Sequence, residues 1–173
     1  MLITLMIGGV KIPGICHPTI GDGSCLIHSV LHSVSKEYRD SSNSMRREMA
    51  RVFRSRMSSR LRTSYSEIAG GELKALGLVE PTYSYNHIIK VFASSSPLGD
   101  ESFLLVSDLS GVDLIFVDLK TKGQIARTST GKDSCVVVIC TPGHYSAFSM
   151  SDPHTDELHT TFSSKSPALS LRF

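Results

Sequence analysis

No apolar run in the sequence approaches the roughly 18 to 20 residues of a membrane span, so no membrane partner is expected. The opening segment, "MLITLMIGGVKIPGIC", lacks a basic n-region. It reads as a first strand or an arm docked on the core rather than as a signal peptide. Cysteine is sparse: Cys16, Cys25, Cys135 and Cys140 form no CxxC pair and no dense framework. That pattern excludes a disulfide scaffold and points to free thiols in an intracellular, cytoplasmic setting. Charge is nearly balanced at +2, too little by itself to imply a nucleic-acid partner. No internal repeat is present.

What is there suits one soluble core. The chain has 173 residues, 40% hydrophobic and 20% charged, in the range of a single globular domain. The basic residues are concentrated in one place. Residues 44–62, "SMRREMARVFRSRMSSRLR", carry seven arginines against one glutamate, a local +6 that leaves −4 for the rest of the chain. Met45, Met49, Phe53, Met57 and Leu61 recur every fourth residue, which predicts an amphipathic helix capped by Ser42, Asn43 or Ser44. Its basic face is either solvated, with arginine stems lying on the core, or a binding surface for RNA, an anionic membrane or an acidic protein.

Helices are also predicted for "YSYNHIIKVFA" and "DESFLLVSDLS". The period then changes. "VDLIFVD" and "CVVVIC" are short β-branched runs typical of buried strands, with "QIART" between them and "HYSAFSM" after Pro142-Gly143 as two further strands. Helices early and strands late around one core predict an α+β domain. The Ser-, Thr- and Pro-rich tail from Ser151 to Phe173 reads as a flexible extension or a docking arm.

One stretch carries chemistry. In "GDGSCLIHSVLHSV", residues 21–34, Cys25 stands at the exit of a tight turn, where a helical apolar pattern begins. Unpaired amides and the macrodipole at a helix N-terminus favour an anion, and the thiolate is the nucleophilic form. The two glycines let the backbone N–H groups near Asp22, Gly23 and Cys25 converge, as an oxyanion hole requires.

Such a nucleophile needs a base, and the seven histidines differ in their claims. His28 and His32 lie at i and i+4, but Ser29 stands where the zinc motif HExxH needs glutamate, so packing or surface roles are expected. His17 beside Cys16 has no second pair to complete a metal site. His87 falls in a helix, and His154 and His159 fall in the tail. His144 follows a core strand and a Pro-Gly turn, with Tyr145 beside it. A strand-borne imidazole facing a helix-capping cysteine is the papain-like pairing of base and nucleophile. On the residues alone, that pairing and two unrelated core residues both stand.

"GDGSCLIHSV" resembles the nucleophile motif D-G-x-C-L-x-x-[AS]-[VI] of the OTU (ovarian tumour) family of cysteine deubiquitinases. "LGDESFLLVSDLSGVDLIFV" resembles that family's helix-to-strand segment, and a late buried strand closed by His-aromatic follows in the family's order. The resemblance runs from about Gly21 to Met150. It implies a papain-like fold, a twisted sheet packed between helices, in residues 1–150, with 151–173 as an extension. It also implies that Cys25 attacks the carbonyl at the ubiquitin C-terminus, that His144 is the base, and that Asp22 shapes the oxyanion loop. The implied partners are ubiquitin, ubiquitin-like modifiers and polyubiquitin chains, with no metal or organic cofactor. Nucleic acid is at most an accessory partner, through residues 44–62.

Two departures stand out. Many members carry Asp or Asn two residues after the histidine to orient the imidazole; here that residue is Ser146. Members often have Trp before a Gly-Asp pair; here Leu98 precedes Gly99-Asp100, and the chain has no Trp. The compact size resembles viral OTU proteases, which implies action on host proteins to blunt innate signalling. The alternatives are a non-catalytic ubiquitin-binding module and a viral polyprotein-processing protease.

Overall fold

The structure is a computed structural model that describes residues 1–67, 85–151 and 158–164. Within them it is the expected mixture of helices and sheet. A hairpin opens the chain, β1 (Leu2–Ile7) and β2 (Val10–His17), and three helices follow, α1 (Cys25–Val34), α2 (Lys36–Asp40) and α3 (Asn43–Glu67). Next come α4 (Tyr85–Ala93), a 3-10 turn (Asp100–Ser102) and α5 (Phe103–Ser110). The strands β3 (Asp113–Asp118), β4 (Gln124–Arg127), β5 (Ser134–Thr141) and β6 (His144–Ser151) complete the main path, with short β7 (Leu158–His159) and β8 (Phe162–Ser163) after it.

The sheet order is β1-β2-β6-β5-β3-β4, with β7 added to β6 and β8 to β5. β3 and β5 run parallel, and the other pairs are antiparallel. The apolar runs of β3 and β5 have no polar face because both faces are covered. Leu114, Phe116, Val136 and Val138 meet α1, α3, α4 and α5. Ile115, Val117, Val137 and Ile139 meet Ile3, Leu5, Ile7 and Ile12, where the sheet curls and lays the first hairpin over its second face.

The opening segment differs from a single strand. Gly8 and Gly9 both take positive φ, 58° and 79°, the conformation of a two-residue hairpin loop, so the apolar run folds back on itself. Gly14 of β2 lies so close to β6 that a Cβ there would collide with the Ser149 carbonyl and the Phe148 ring.

In α3 the apolar stripe is buried at Phe53, Met57 and Leu61, whereas Met45 in its first turn is exposed. Ala50 takes the core position nearest that end instead. Ser42 accepts the Met45 amide at 3.3 Å, one of the expected caps. Part of the tail from Ser151 joins the sheet as β7 and β8, and Thr160 donates to the Ser33 carbonyl of α1 at 2.7 Å. Residues 152–157 and 165–173, His154 among them, lie outside the described residues.

Candidate active site

Cys25 is the first residue of α1 and is 6% exposed. The turn before it requires glycine: Gly23 has φ +81°, and a Cβ there would strike the Ser95 carbonyl. Ser24 occupies the cap position but makes no side-chain capping bond to α1. Its hydroxyl instead accepts Arg54 Nη1 at 3.1 Å. The first amides of the helix are thereby left to whatever anion forms beside Cys25.

Arg54 is 4% exposed, far from the solvated role its basic helix suggested. Besides Ser24 it donates to the carbonyls of Gly23 (3.3 Å), Phe92 (3.3 Å), Val91 (3.1 Å) and Ser96 (2.5 Å). One guanidinium thus ties the nucleophile turn to the end of α4 and the loop after it. Burial pushes its pKa down, opposed by the carboxylate of Asp22.

Asp22 is held by the turn and by α1. Its carboxylate accepts the Ser24 amide at 3.0 Å and His28 Nε2 at 3.1 Å, with Arg47 Nε 3.8 Å away. Burial opposes its ionisation, but the bonds from His28 and Ser24 and the charge of Arg47 outweigh this and hold its pKa low. Burial keeps the pKa of His28 below its ordinary value despite Asp22. In the neutral ring Nε2–H donates to Asp22, and Nδ1 accepts the Tyr38 hydroxyl at 2.7 Å. Asp22, His28 and Tyr38 thus form a hydrogen-bonded chain that braces the turn before Cys25.

α1 packs along β6, and the two run in the same direction. At their far ends Thr160 bonds to Ser33, and the His17 ring, next to β6, lies 4.5 Å from the His32 ring. At the near end of α1 stands Cys25. Burial pushes the Tyr145 hydroxyl up to about 12, with the charges of Cys140 and Cys25 adding to it. His144 is the first residue of β6, immediately before Tyr145. Ser29 and Ser33, buried on α1, turn their hydroxyls back onto helix carbonyls, a small polar face that lets the helix approach the strand closely.

The imidazole of His144 meets Thr19, whose Oγ1 lies 3.2 Å from Nε2 and donates to the Tyr145 carbonyl at 2.5 Å. Ser146 pairs with Ile139 of β5. Sequence reasoning passed over Thr19, since a single threonine between a strand and a glycine turn carries no pattern. Among the described residues no three His, Cys, Asp or Glu side chains gather as a metal site would need. Among the same residues no helix is long and apolar enough to cross a membrane.

Comparison with solved structures identifies the architecture. An ovarian tumour (OTU) domain solved in complex with ubiquitin matches with a TM-score of 0.63 and 18% identity, covering 96% of this chain and 85% of that one. The chain has the OTU-domain fold. The OTU domain of OTUD1 also matches, with a TM-score of 0.54 and 16% identity over 78% of this chain and 85% of that one. A scan of protein-family models and a search of curated proteins each found no match. In this OTU-type fold Cys25 begins α1 and His144 begins β6.

Proposed function

We propose that the protein is a cysteine isopeptidase that cleaves ubiquitin, or a ubiquitin-like modifier, from proteins or polyubiquitin chains. The observation that supports this reading is the packing of α1 on β6: their far ends meet through Thr160 and Ser33, while Cys25 begins the one and His144 begins the other. In the reaction His144 accepts the Cys25 proton as Sγ attacks the carbonyl carbon of the modifier's C-terminal residue. Amides at the start of α1 and in the Gly23 turn face the developing oxyanion. His144 then returns the proton to the departing lysine amine, leaving a thioester that water hydrolyses. No organic cofactor or metal takes part. In a compact viral enzyme, the proposed setting is the host cytoplasm and the targets are ubiquitinated signalling proteins.

The test is reaction of the purified chain with ubiquitin bearing a C-terminal electrophile, for the wild type, Cys25→Ala and His144→Ala. An adduct in the wild type alone is expected. Saturable ubiquitin binding with no adduct and no cleavage would instead favour a binding module, the reading that Ser146, in place of an acidic residue, supports. The arginines of α3 are partly committed within the fold, Arg54 to the carbonyls above, Arg51 to Glu48 and Arg60 to Asp108, which weighs against nucleic acid as the main partner.

A further inference from the structure

The two nitrogens of His144 are not equivalent, and the Thr19 hydroxyl is the reason. A threonine hydroxyl has one hydrogen and two lone pairs. The Tyr145 carbonyl can only accept, so at 2.5 Å it takes that hydrogen. Toward His144 Nε2, 3.2 Å away, the same oxygen then has only a lone pair to offer. Nε2 must therefore carry the ring proton, and in the neutral ring Nδ1 holds the free lone pair.

We infer that Thr19 is the positioning residue of the site: it accepts Nε2–H of His144 and leaves Nδ1 as the atom that takes the Cys25 proton. This rests on the reading of Cys25 and His144 as nucleophile and base. Thr19 follows β2, and β2 is paired to β6 through His17 opposite Ala147. Its hydroxyl is also bonded to the β6 backbone next to His144. A β-branched side chain, restricted at χ1, limits where the acceptor can move.

Thr19 supplies orientation without charge. When the ring becomes an imidazolium, Nε2–H still donates to Thr19, with no carboxylate to neutralise it. The orienting effect is accordingly that of one neutral hydrogen bond, about tenfold, not the orders of magnitude lost with a triad carboxylate.

The experiment follows alkylation of Cys25 by iodoacetamide across pH, read as modified Cys25 peptide by mass spectrometry, so that no ubiquitin is needed. The variants are Thr19→Val, Thr19→Ser and His144→Ala. Thr19→Val is expected to slow alkylation about tenfold near neutral pH and to rejoin the wild type in alkali, where the thiol ionises unaided. Thr19→Ser is expected to restore the neutral arm. If Thr19→Val keeps the wild-type profile while His144→Ala loses its neutral arm, the assignment of Thr19 is wrong and the pairing of Cys25 with His144 stands. If neither variant changes the profile, both fall. Ring ¹⁵N spectra of the wild type, recorded in alkaline buffer where imidazoles are neutral, give a reading that needs no variant. Signals of the Nε2–H tautomer are expected, and the Nδ1–H tautomer would overturn the inference.

Discussion

Arg54 Nη1 lies 3.3 Å from the Gly23 carbonyl, joining the third helix to the turn that presents Cys25 across 31 residues of sequence. The same side chain satisfies carbonyls of Val91, Phe92 and Ser96. The nucleophile turn is thus held by a cation that the surrounding sequence disguises as surface.

Arg54→Met removes those bonds and leaves buried carbonyls without a donor. The expected cost is about 3 kcal/mol, a drop in Tm of about 9 °C for a chain of this size. Arg54→Lys should recover only part of it, since one ammonium cannot reproduce the planar fork. Thermal unfolding of the three proteins measures this, and a Tm for Arg54→Met within a degree of wild type would show that water replaces the guanidinium.

Gly23→Ala places a methyl against the Ser95 carbonyl at a φ of +81°. The left-handed conformation alone costs about 1 to 2 kcal/mol, and the turn must also move off Ser95. Since the turn aims the amides beside Cys25, the rate of adduct formation with the ubiquitin electrophile should fall about a hundredfold. A variant of wild-type rate would mean that the turn does not shape the oxyanion site.

Acid should weaken the fold through His32. Its Nδ1 is buried with no hydrogen-bond partner among the described residues, and its pKa is pushed down to about 4, by burial first and then by the charges of His17, Arg39 and Arg46. The unfolded chain, at the ordinary 6.5, binds that proton more readily. The stability is therefore full above pH 6.5 and is lost as pH falls toward about 4. Urea midpoints at pH 7 and pH 4.5 should fall less in His32→Leu than in the wild type. The difference is about 1.5 kcal/mol once partial exposure is discounted. Equal losses in the two proteins would assign the acid sensitivity elsewhere, with His28 and His17, both also shifted downward, next in line.

Much of the architecture was legible because it rests on local periodicity. The runs at 113–118 and 134–141 are strands, the segment after Gly143 is a strand, and α1 begins at Cys25, where the Gly-Asp-Gly-Ser turn gives way to apolar residues at helical spacing. The first hairpin was missed although its signal was present: Gly8-Gly9 between apolar runs is a turn, and reading the whole segment as one arm ignored it. Met45 carries the right spacing for the core stripe of α3 but sits in a first turn that projects past the core, so periodicity assigned it to a contact the fold does not offer.

The site divides in the same way. A glycine turn, a cysteine and a helix start are contiguous, so the sequence by itself determined where a thiol meets unpaired amides and which residues form the strands behind it. Which groups reach that thiol was decided only by tertiary structure. The fold sets His144 at the start of β6, Arg54 is drawn inward from a basic helix, Asp22 is turned toward His28, and Thr19 lies against an imidazole 125 residues away. Each of these depends on the curl of the sheet and the packing of helices across it, long-range geometry that hydrophobic periodicity does not encode.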